Sequence, residues 1–378
     1  MNNTLNSTVR RLVIKLGSST LTDTHGHLDS SYLDDVARQV NQLYQSGIEV
    51  LVVSSAAIVA GLEALGMPPA RPDDIPTLQA AAAVGQVELS KHYAKAFGTY
   101  NIRLAQVLLT RHDIQNRQSY LHVRAALNQI LAMGVVPLIN ENDTVAIDEI
   151  RFGDNDTLAA QLAILVKADL VVLLSDIEGL YTADPRLKDD AQLLEEVAAF
   201  TAEILHAASA AGTDKGSGGM FTKLEAAQML KAASIPMVIC EGHVPNVIIN
   251  AAQGQLVGTH FLTDNQRRQA GARKLWLALA GNVRGTVTID EGAEAALRER
   301  GGSLLPVGIK SIDGTFAQDS VVDIRNAEGL LLGRGLSSYT SEDLHSAIGL
   351  SSADLASTPL AQNKERFEVI HRDRMVIF

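Results

Sequence analysis

Short apolar runs alternate with longer stretches of helical periodicity over the first two thirds of the chain. The runs at residues 12–17, 48–53, 104–109, 135–139, 170–174 and 235–240 read as strands, and 257–261 as a last, short one. Pro137 is expected near a strand end or at a bulge. Between the first two runs, Leu33, Val36, Val40 and Leu43 follow helical spacing. Ser30 or Ser31 can cap that helix, and Gly47 ends it. Further helices are expected from Ser54-Ser55-Ala56-Ala57-Ile58 to Gly66, over 77–97 and 119–132, and from Gly153-Asp154-Asn155-Asp156 to Val166. A helical region is also expected after Arg186, and another helix over 224–233. Residues 145–152 alternate weakly and read as a hairpin. Strands apolar on both faces, alternating with helices, predict a three-layer αβα sandwich around a largely parallel sheet.

The texture changes after Thr263. Residues 264–269 are polar, and beyond them the strands shorten and the turns are richer in glycine. Strands are expected at 284–289, 307–312, 320–324, 330–335 and 367–370, in a small, mainly β barrel. The expected organisation is a first domain over 1–263, a linker over 264–274 and a second domain over 275–378.

Several polar residues interrupt this pattern where a parallel sheet binds ligands, beyond the carboxyl ends of its strands. Lys15 lies inside an apolar run, where a lysine is costly unless it is paired or snorkels to solvent from an edge strand. Ser55 and the pair Ser175-Asp176 follow strands directly. Asn140-Glu141-Asn142-Asp143-Thr144 and Gly153-Asp154-Asn155-Asp156 gather carboxylates and carboxamides a short loop apart. Turn and cap chemistry is the alternative reading of any one of them. The glycine-rich stretch Gly216-Ser217-Gly218-Gly219-Met220-Phe221-Thr222-Lys223 runs into a helix. Glycines let a backbone approach a ligand, a helix start offers free N–H groups, and a lysine adds charge, so the stretch suits a polyphosphate. The Walker pattern is missing, because no glycine precedes Lys223.

Composition narrows the class. At 378 residues the chain has room for two domains, and 46% hydrophobic with 20% charged residues is the globular range. A formal charge of −11 argues against a general affinity for nucleic acid or anionic membranes. The single cysteine, Cys240, lies in an apolar run and reads as a buried structural thiol. With no leader-like segment at the start and no apolar run of membrane-spanning length, a cytoplasmic protein is expected.

Taken together, Val13-Ile14-Lys15-Leu16-Gly17-Ser18, Ala83-Val84-Gly85-Gln86, Ile139-Asn140-Glu141-Asn142-Asp143, Gly153-Asp154-Asn155-Asp156, Gly179-Leu180-Tyr181-Thr182-Ala183-Asp184-Pro185-Arg186 and Gly218-Gly219-Met220 resemble the glutamate 5-kinases of the amino-acid kinase superfamily. Asp290-Glu291-Gly292-Ala293 and Ser303-Leu304-Leu305-Pro306 resemble their C-terminal PUA domain, and the likeness covers nearly the whole chain. It implies transfer of the γ-phosphoryl group of ATP to the side-chain carboxylate of L-glutamate, with Mg²⁺, as the first step of proline synthesis. It implies a catalytic set of Lys15, Lys223 and Asp156, with both lysines on the ATP phosphates and Asp156 orienting them. The nucleotide would be held by Lys15, Ser175, Asp176 and the loop Ser217, Gly218, Gly219, Met220, Phe221, Thr222 and Lys223. Glutamate would meet Ser55, Asn140, Asp143 and Asn155. Proline as feedback inhibitor and a homo-oligomer, tetramer or dimer, are implied too.

The chain departs from that family at several points. Ala56 stands where the family has glycine, Leu78 where a lysine is common, and Ala317-Gln318-Asp319-Ser320 replaces an Arg-Gly-Asp-like turn. Two other readings therefore stay open: a kinase of the same superfamily acting on another substrate, and a catalytically impaired homologue that binds ATP or proline. RNA binding through the second domain is opposed by the acidic balance.

Overall fold

The computed structural model describes residues 9–68, 72, 74–145, 155–188, 190–201, 204, 219–263, 283–358 and 367–378. The chain divides into two compact units, residues 1–265 and 266–378.

In the first unit the strands are β1 (Arg11–Leu16), β2 (Glu49–Ser54), β3 (Leu104–Leu109), β4 (Val136–Glu141), β5 (Leu170–Ser175), β6 (Glu196–Val197), β7 (Met237–Glu241) and β8 (Thr259–Phe261). The helices are α1 (Ser18–Leu21), α2 (Ser30–Gln45), α3 (Ala57–Ala64), α4 (Ile75–Gly98), α5 (Arg111–Gln115), α6 (Arg117–Ala132), α7 (Asn155–Val166), α8 (Met220–Ala232) and α9 (Val247–Ala252). The strands form one sheet in the order β3-β4-β2-β1-β5-β7-β8-β6. Its pairings are parallel except that of β8 with β7. From β1 the chain passes to β2 on one side and later to β5 on the other, which makes β1 the switch point where such sheets leave a ligand crevice.

Strand alternation fixes what each face meets. Leu12, Ile14 and Leu16 join one core cluster with Val36 and Val40 of α2, Tyr93 and Phe97 of α4, and Ile248 of α9. Val13 and Lys15 alternate to the opposite face, where α7 packs against β1, β2, β4 and β5. From Asp156 to Val166 every residue of α7 is buried, so this helix has no solvent side. Strands β1 and β5 are buried along nearly their whole lengths, as expected of a sheet covered on both faces.

Several expectations need correction. Helix α2 is capped by Asp29, whose carboxylate accepts the N–H groups of Ser31 and Tyr32, and not by Ser30 or Ser31. A charged acceptor one residue earlier completes the first turn and lets both serines enter the helix. Residues 187–188 and 190–201 hold turns and the two-residue β6, and of the helical region expected after Arg186 Ile204 is helical while 202–203 and 205–218 lie outside the described residues. Strand β6 pairs with β8 through Glu196 and Val197. The hairpin expected over 145–152 lies outside the described residues apart from Val145. Pro137 is the second residue of β4, near its end as expected.

The second unit carries a five-stranded mixed sheet in the order β10-β9-β11-β12-β13. Its strands are β9 (Val283–Ile289), β10 (Ile309–Asp313), β11 (Val321–Arg325), β12 (Leu331–Leu336) and β13 (Met375–Ile377). The last expected strand is displaced. Among the described residues, 367–370 form no strand but a bridge from Ile370 to Leu304, and the final strand is β13, on β12. Among the described residues the unit also holds three helices missed in the pattern: α10 (Glu291–Arg300), α11 (Ser341–Ala347) and α12 (Ser352–Ala356). They are short and start at Asp290, Thr340 and Ser351, whose side chains accept first-turn N–H groups.

Candidate functional site

Lys15 reaches the site from the central strand. An edge position is excluded, since β1 pairs with β2 on one side and β5 on the other. Its ammonium lies 2.6 Å from Asp156 Oδ1, in an ion pair almost wholly out of solvent. Gly17 follows in the chain, and a Cβ there would come within 3.6 Å of Lys15 Nζ. The long side chain thus bends over the end of its own strand, beside the Leu174 carbonyl.

Asp156 sits in the first turn of α7, where the helix dipole favours an anion. Its second oxygen, Oδ2, accepts from Lys223 Nζ at 3.1 Å and lies 3.0 Å from Thr222 Oγ1. Both donors come from the first turn of α8, which begins after Gly219. One carboxylate therefore gathers two cations that are remote in sequence. Burial opposes ionisation of Asp156, but the ammonium groups of Lys15 and Lys223 outweigh it and hold the carboxyl well below the usual range. Met220 is buried and Phe221 is exposed on the same turn. Ser217 and Gly218 lie outside the described residues.

On the neighbouring strand, Ser175 is buried at the end of β5, and its hydroxyl donates to Asp176 Oδ1 at 3.1 Å, with Asp176 exposed.

A second cluster lies at the ends of β2 and β4. Asn155 Nδ2 is within hydrogen-bond reach of three acceptors: Ser55 Oγ at 2.9 Å, the Ser54 carbonyl at 3.0 Å and Asn140 Oδ1 at 3.1 Å. Asn155 Oδ1 is buried and has no hydrogen-bond donor among the described residues. Ser55 is half-buried and does not cap α3; that position belongs to Ala56. Asp143 is half-buried on the turn that follows β4. Asn155 and Asp156 are consecutive, so one helix start serves both clusters.

Ala56 holds a left-handed backbone, φ 72° and ψ 11°, and is buried at the start of α3. Its N–H donates to Ser18 Oγ at 3.2 Å. An L-residue in this region costs ~1–2 kcal/mol that glycine avoids. Leu78, the second departure, is buried on α4.

Two glycines bring α4 against α3. A Cβ on Gly85 would stand 1.8 Å from the Ala57 carbonyl oxygen, and one on Gly61 1.7 Å from that of Ala81. The backbones therefore touch without side chains between them, and Gln86 is carried to 2.9 Å from Asn140 Nδ2. Gln86 and Ser18 are site neighbours that the candidate set omits. The signal for Gln86 was Gly85, a glycine inside an Ala-rich helix, which marks a close approach.

Among the described residues no group of three or more His, Cys, Asp or Glu could hold a metal ion. The best-placed carboxylate, Asp156, already serves two lysines. This donor set fits Mg²⁺ that arrives on nucleotide phosphates and keeps its waters, the common arrangement for that ion.

The model of the amino acid kinase family matches residues 10–241, and that of the PUA domain matches residues 285–357. A glutamate 5-kinase of Citrifermentans bemidjiense is 40% identical to this chain over 369 residues, 98% of each chain. One from Carboxydothermus hydrogenoformans is 43% identical over 370 residues, again 98% of each. A third, from Myxococcus xanthus, is 43% identical over 368 residues, 97% of this chain and 96% of that one.

Proposed function

We propose, since the chain belongs to the amino acid kinase family, that it transfers the γ-phosphoryl group of ATP to the side-chain carboxylate of L-glutamate. The products are L-glutamyl 5-phosphate and ADP, in the first step of proline synthesis. The observation that carries this reading is the convergence of Lys15 and Lys223 on Asp156 at the sheet's switch point.

Phosphoryl transfer needs positioning and positive charge more than covalent help. The acceptor carboxylate is already ionised at pH 7, so no general base is required. Lys15 and Lys223 stand where two cations can meet phosphate oxygens, and Asp156 positions them. When ATP binds, the lysines exchange part of their contact with Asp156 for the phosphates. Mg²⁺ brought with the nucleotide supplies further charge neutralisation. Ser175, Asp176 and the segment Ser217, Gly218, Gly219, Met220, Phe221 and Thr222 hold the nucleotide in this reading. Ser55, Asn140, Asp143 and Asn155 hold glutamate. The acceptor Asn155 Oδ1, which has no donor among the described residues, suits the α-ammonium group of an amino acid.

The domain organisation proposed is 1–263, a linker over 264–274 and a PUA-like domain over 275–378. Homo-oligomerisation is proposed as well. It is supported by α4, which leaves Val84 and Val87 exposed, and by the outermost strand β3, which has no charged residue to discourage pairing. Feedback by proline rests on the family resemblance, and a cytoplasmic location on the sequence pattern. Among the described residues no helix is long and apolar enough to cross a membrane.

The test is ADP release from ATP and Mg²⁺ with and without L-glutamate, with hydroxylamine trapping the acyl phosphate. Glutamate-dependent ADP and a hydroxamate product are expected. ADP release indifferent to glutamate would sink the reading. A second run with proline tests the feedback.

A further inference from the structure

The second cluster does not end at Asn140. Asn140 Nδ2 donates to Gln86 Oε1 at 2.9 Å. Gln86 Nε2 donates to Gln106 Oε1 at 3.0 Å. Gln106 Nε2 donates to the Leu138 carbonyl at 3.2 Å, and Ser90 Oγ stands 2.7 Å from Gln106 Oε1. Four carboxamides thus run in series from the exposed edge strand β3, through α4 and β4, to the start of α7.

A carboxamide can be turned end for end at little cost unless its neighbours forbid it. Here backbone groups fix the direction at three points. The Glu141 N–H donates to Asn140 Oδ1 at 2.9 Å, so that atom is the oxygen. The Ser54 carbonyl accepts from Asn155 Nδ2, so that atom is the nitrogen. The Leu138 carbonyl does the same for Gln106. Among the described residues Gln86 has no such backbone anchor on its side-chain amide. It is held between Asn140 and Gln106, with a longer contact from Nε2 to Ser90 Oγ at 3.4 Å, and it matches the polarity of Asn140 and Gln106 only in the orientation observed.

We propose that Gln86 is a positioning residue for the amino-acid substrate: by accepting the Asn140 Nδ2 donor it holds in place the Asn140 side chain against which Asn155, oriented by the Ser54 carbonyl, presents Oδ1 as a preset acceptor for the substrate. This rests on the glutamate reading above. Without Gln86, a buried Asn140 donor loses its acceptor, and the Asn140 amide, then anchored at its oxygen by the Glu141 N–H, can tilt or recruit water at its nitrogen. The Asn155 amide then loses a fixed neighbour, and the acceptor it offers is less well ordered. Among the described residues Gln86 makes no contact with the lysine cluster, so nucleotide binding is spared. Backbone packing at Gly85 brings Gln86 to this place, which explains a polar residue at a helix contact otherwise made by alanine and glycine.

The experiment measures KM for glutamate and for ATP, kcat and Tm in Gln86→Met, Gln86→Glu, Asn140→Ala and the double variant Gln86→Met with Asn140→Ala. Methionine keeps the length and removes the hydrogen bonds to Asn140, Gln106 and Ser90, while glutamate keeps the acceptor toward Asn140. Gln86→Met is expected to raise KM for glutamate about tenfold with KM for ATP within about twofold. Gln86→Glu should recover most of that loss. The double variant should be no worse than Asn140→Ala alone, since both act through one contact. An unchanged KM for glutamate in Gln86→Met, a parallel rise in KM for ATP, or additive losses in the double variant would each overturn the proposal. If Gln86→Met fails to fold, Gln106→Met on the edge strand carries the same expectation, at a smaller size, and an unchanged KM there overturns it equally. Wild-type protein without glutamate-dependent activity would instead reject the glutamate reading, independently of Gln86.

Discussion

Asp156 Oδ1 lies 2.6 Å from Lys15 Nζ, and the two side chains are almost wholly shielded from water. The other carboxylate oxygen serves Lys223 at 3.1 Å. A buried carboxylate flanked by two cations carries a local excess of positive charge, which a polyphosphate can neutralise. Lys15→Ala and Lys223→Ala are each expected to lower kcat more than about tenfold, because each removes one cation from the transferring group. Steady-state ADP release measures this, and near-normal turnover in either variant would remove that lysine from the mechanism.

Asp156→Asn leaves two buried ammonium groups without their common anion. Breaking a buried pair in this way costs ~3–5 kcal/mol, so the variant is expected to unfold at clearly lower urea concentration at pH 7. The pH dependence has a definite sign. The folded-state pKa of Asp156 is lowered from 3.8, so its contribution is fully present well above that value and is lost as pH falls below it. The stability gap between wild type and Asp156→Asn should therefore narrow as pH drops below about 5. A gap that widens on acidification would contradict the assigned charge state.

Ala56 is left-handed at a position where the backbone borders Ser55 and Ser18. Glycine adopts that conformation without the Cβ conflict, although it also gains freedom when unfolded. Ala56→Gly is expected to raise kcat, with Tm shifting little or upward. Ala56→Val, β-branched in the same region, should lose most activity. A kcat in Ala56→Gly at or below wild type would show that the native strain does not limit turnover.

Gly85→Ala is expected to destabilise by more than about 2 kcal/mol, since the new methyl meets a backbone carbonyl at 1.8 Å and α4 must move. Gly98→Ala, at the end of the same helix with nothing within 4 Å of the new Cβ, is the control. It should be neutral or gain a few tenths of a kcal/mol, roughly. Thermal unfolding of the two variants, side by side, separates close packing from helix propensity.

The sheet was legible because its strands are nearly unbroken apolar runs, and Lys15 stood out as a charge in the middle of one, whereas Glu49 sits at the start of another. Strand ends collected Ser55, Asn140 and Ser175 by the rule that parallel sheets bind at their carboxyl edges. Other features depend on contacts remote in sequence. Gln86 looks like any polar residue on an alanine-rich helix until Gly85 is seen against Ala57. The left-handed turn at Ala56 has no local signal, because alanine normally argues for ordinary helical backbone. At the other end of the chain, residues 367–370 and 375–377 are both short and mostly apolar, and pairing with β12 distinguishes them. The cap of α2 went to Asp29 because an ionised acceptor with two N–H donors outcompetes a neighbouring serine.

Helix α7 has no exposed side, and its first two residues face different partners: Asn155 toward Ser55 and Asn140, Asp156 toward the two lysines. On the proposed reading, donor and acceptor sites are thus separated by a single peptide unit on a body that has nowhere to slide. The spacing between the two substrates behaves as a fixed gauge. An acceptor one methylene shorter cannot be met by moving the helix, because the same movement would draw Asp156 away from its lysines. Selection for a different chain length would have to act on the surrounding loops, while the gauge itself stays constant.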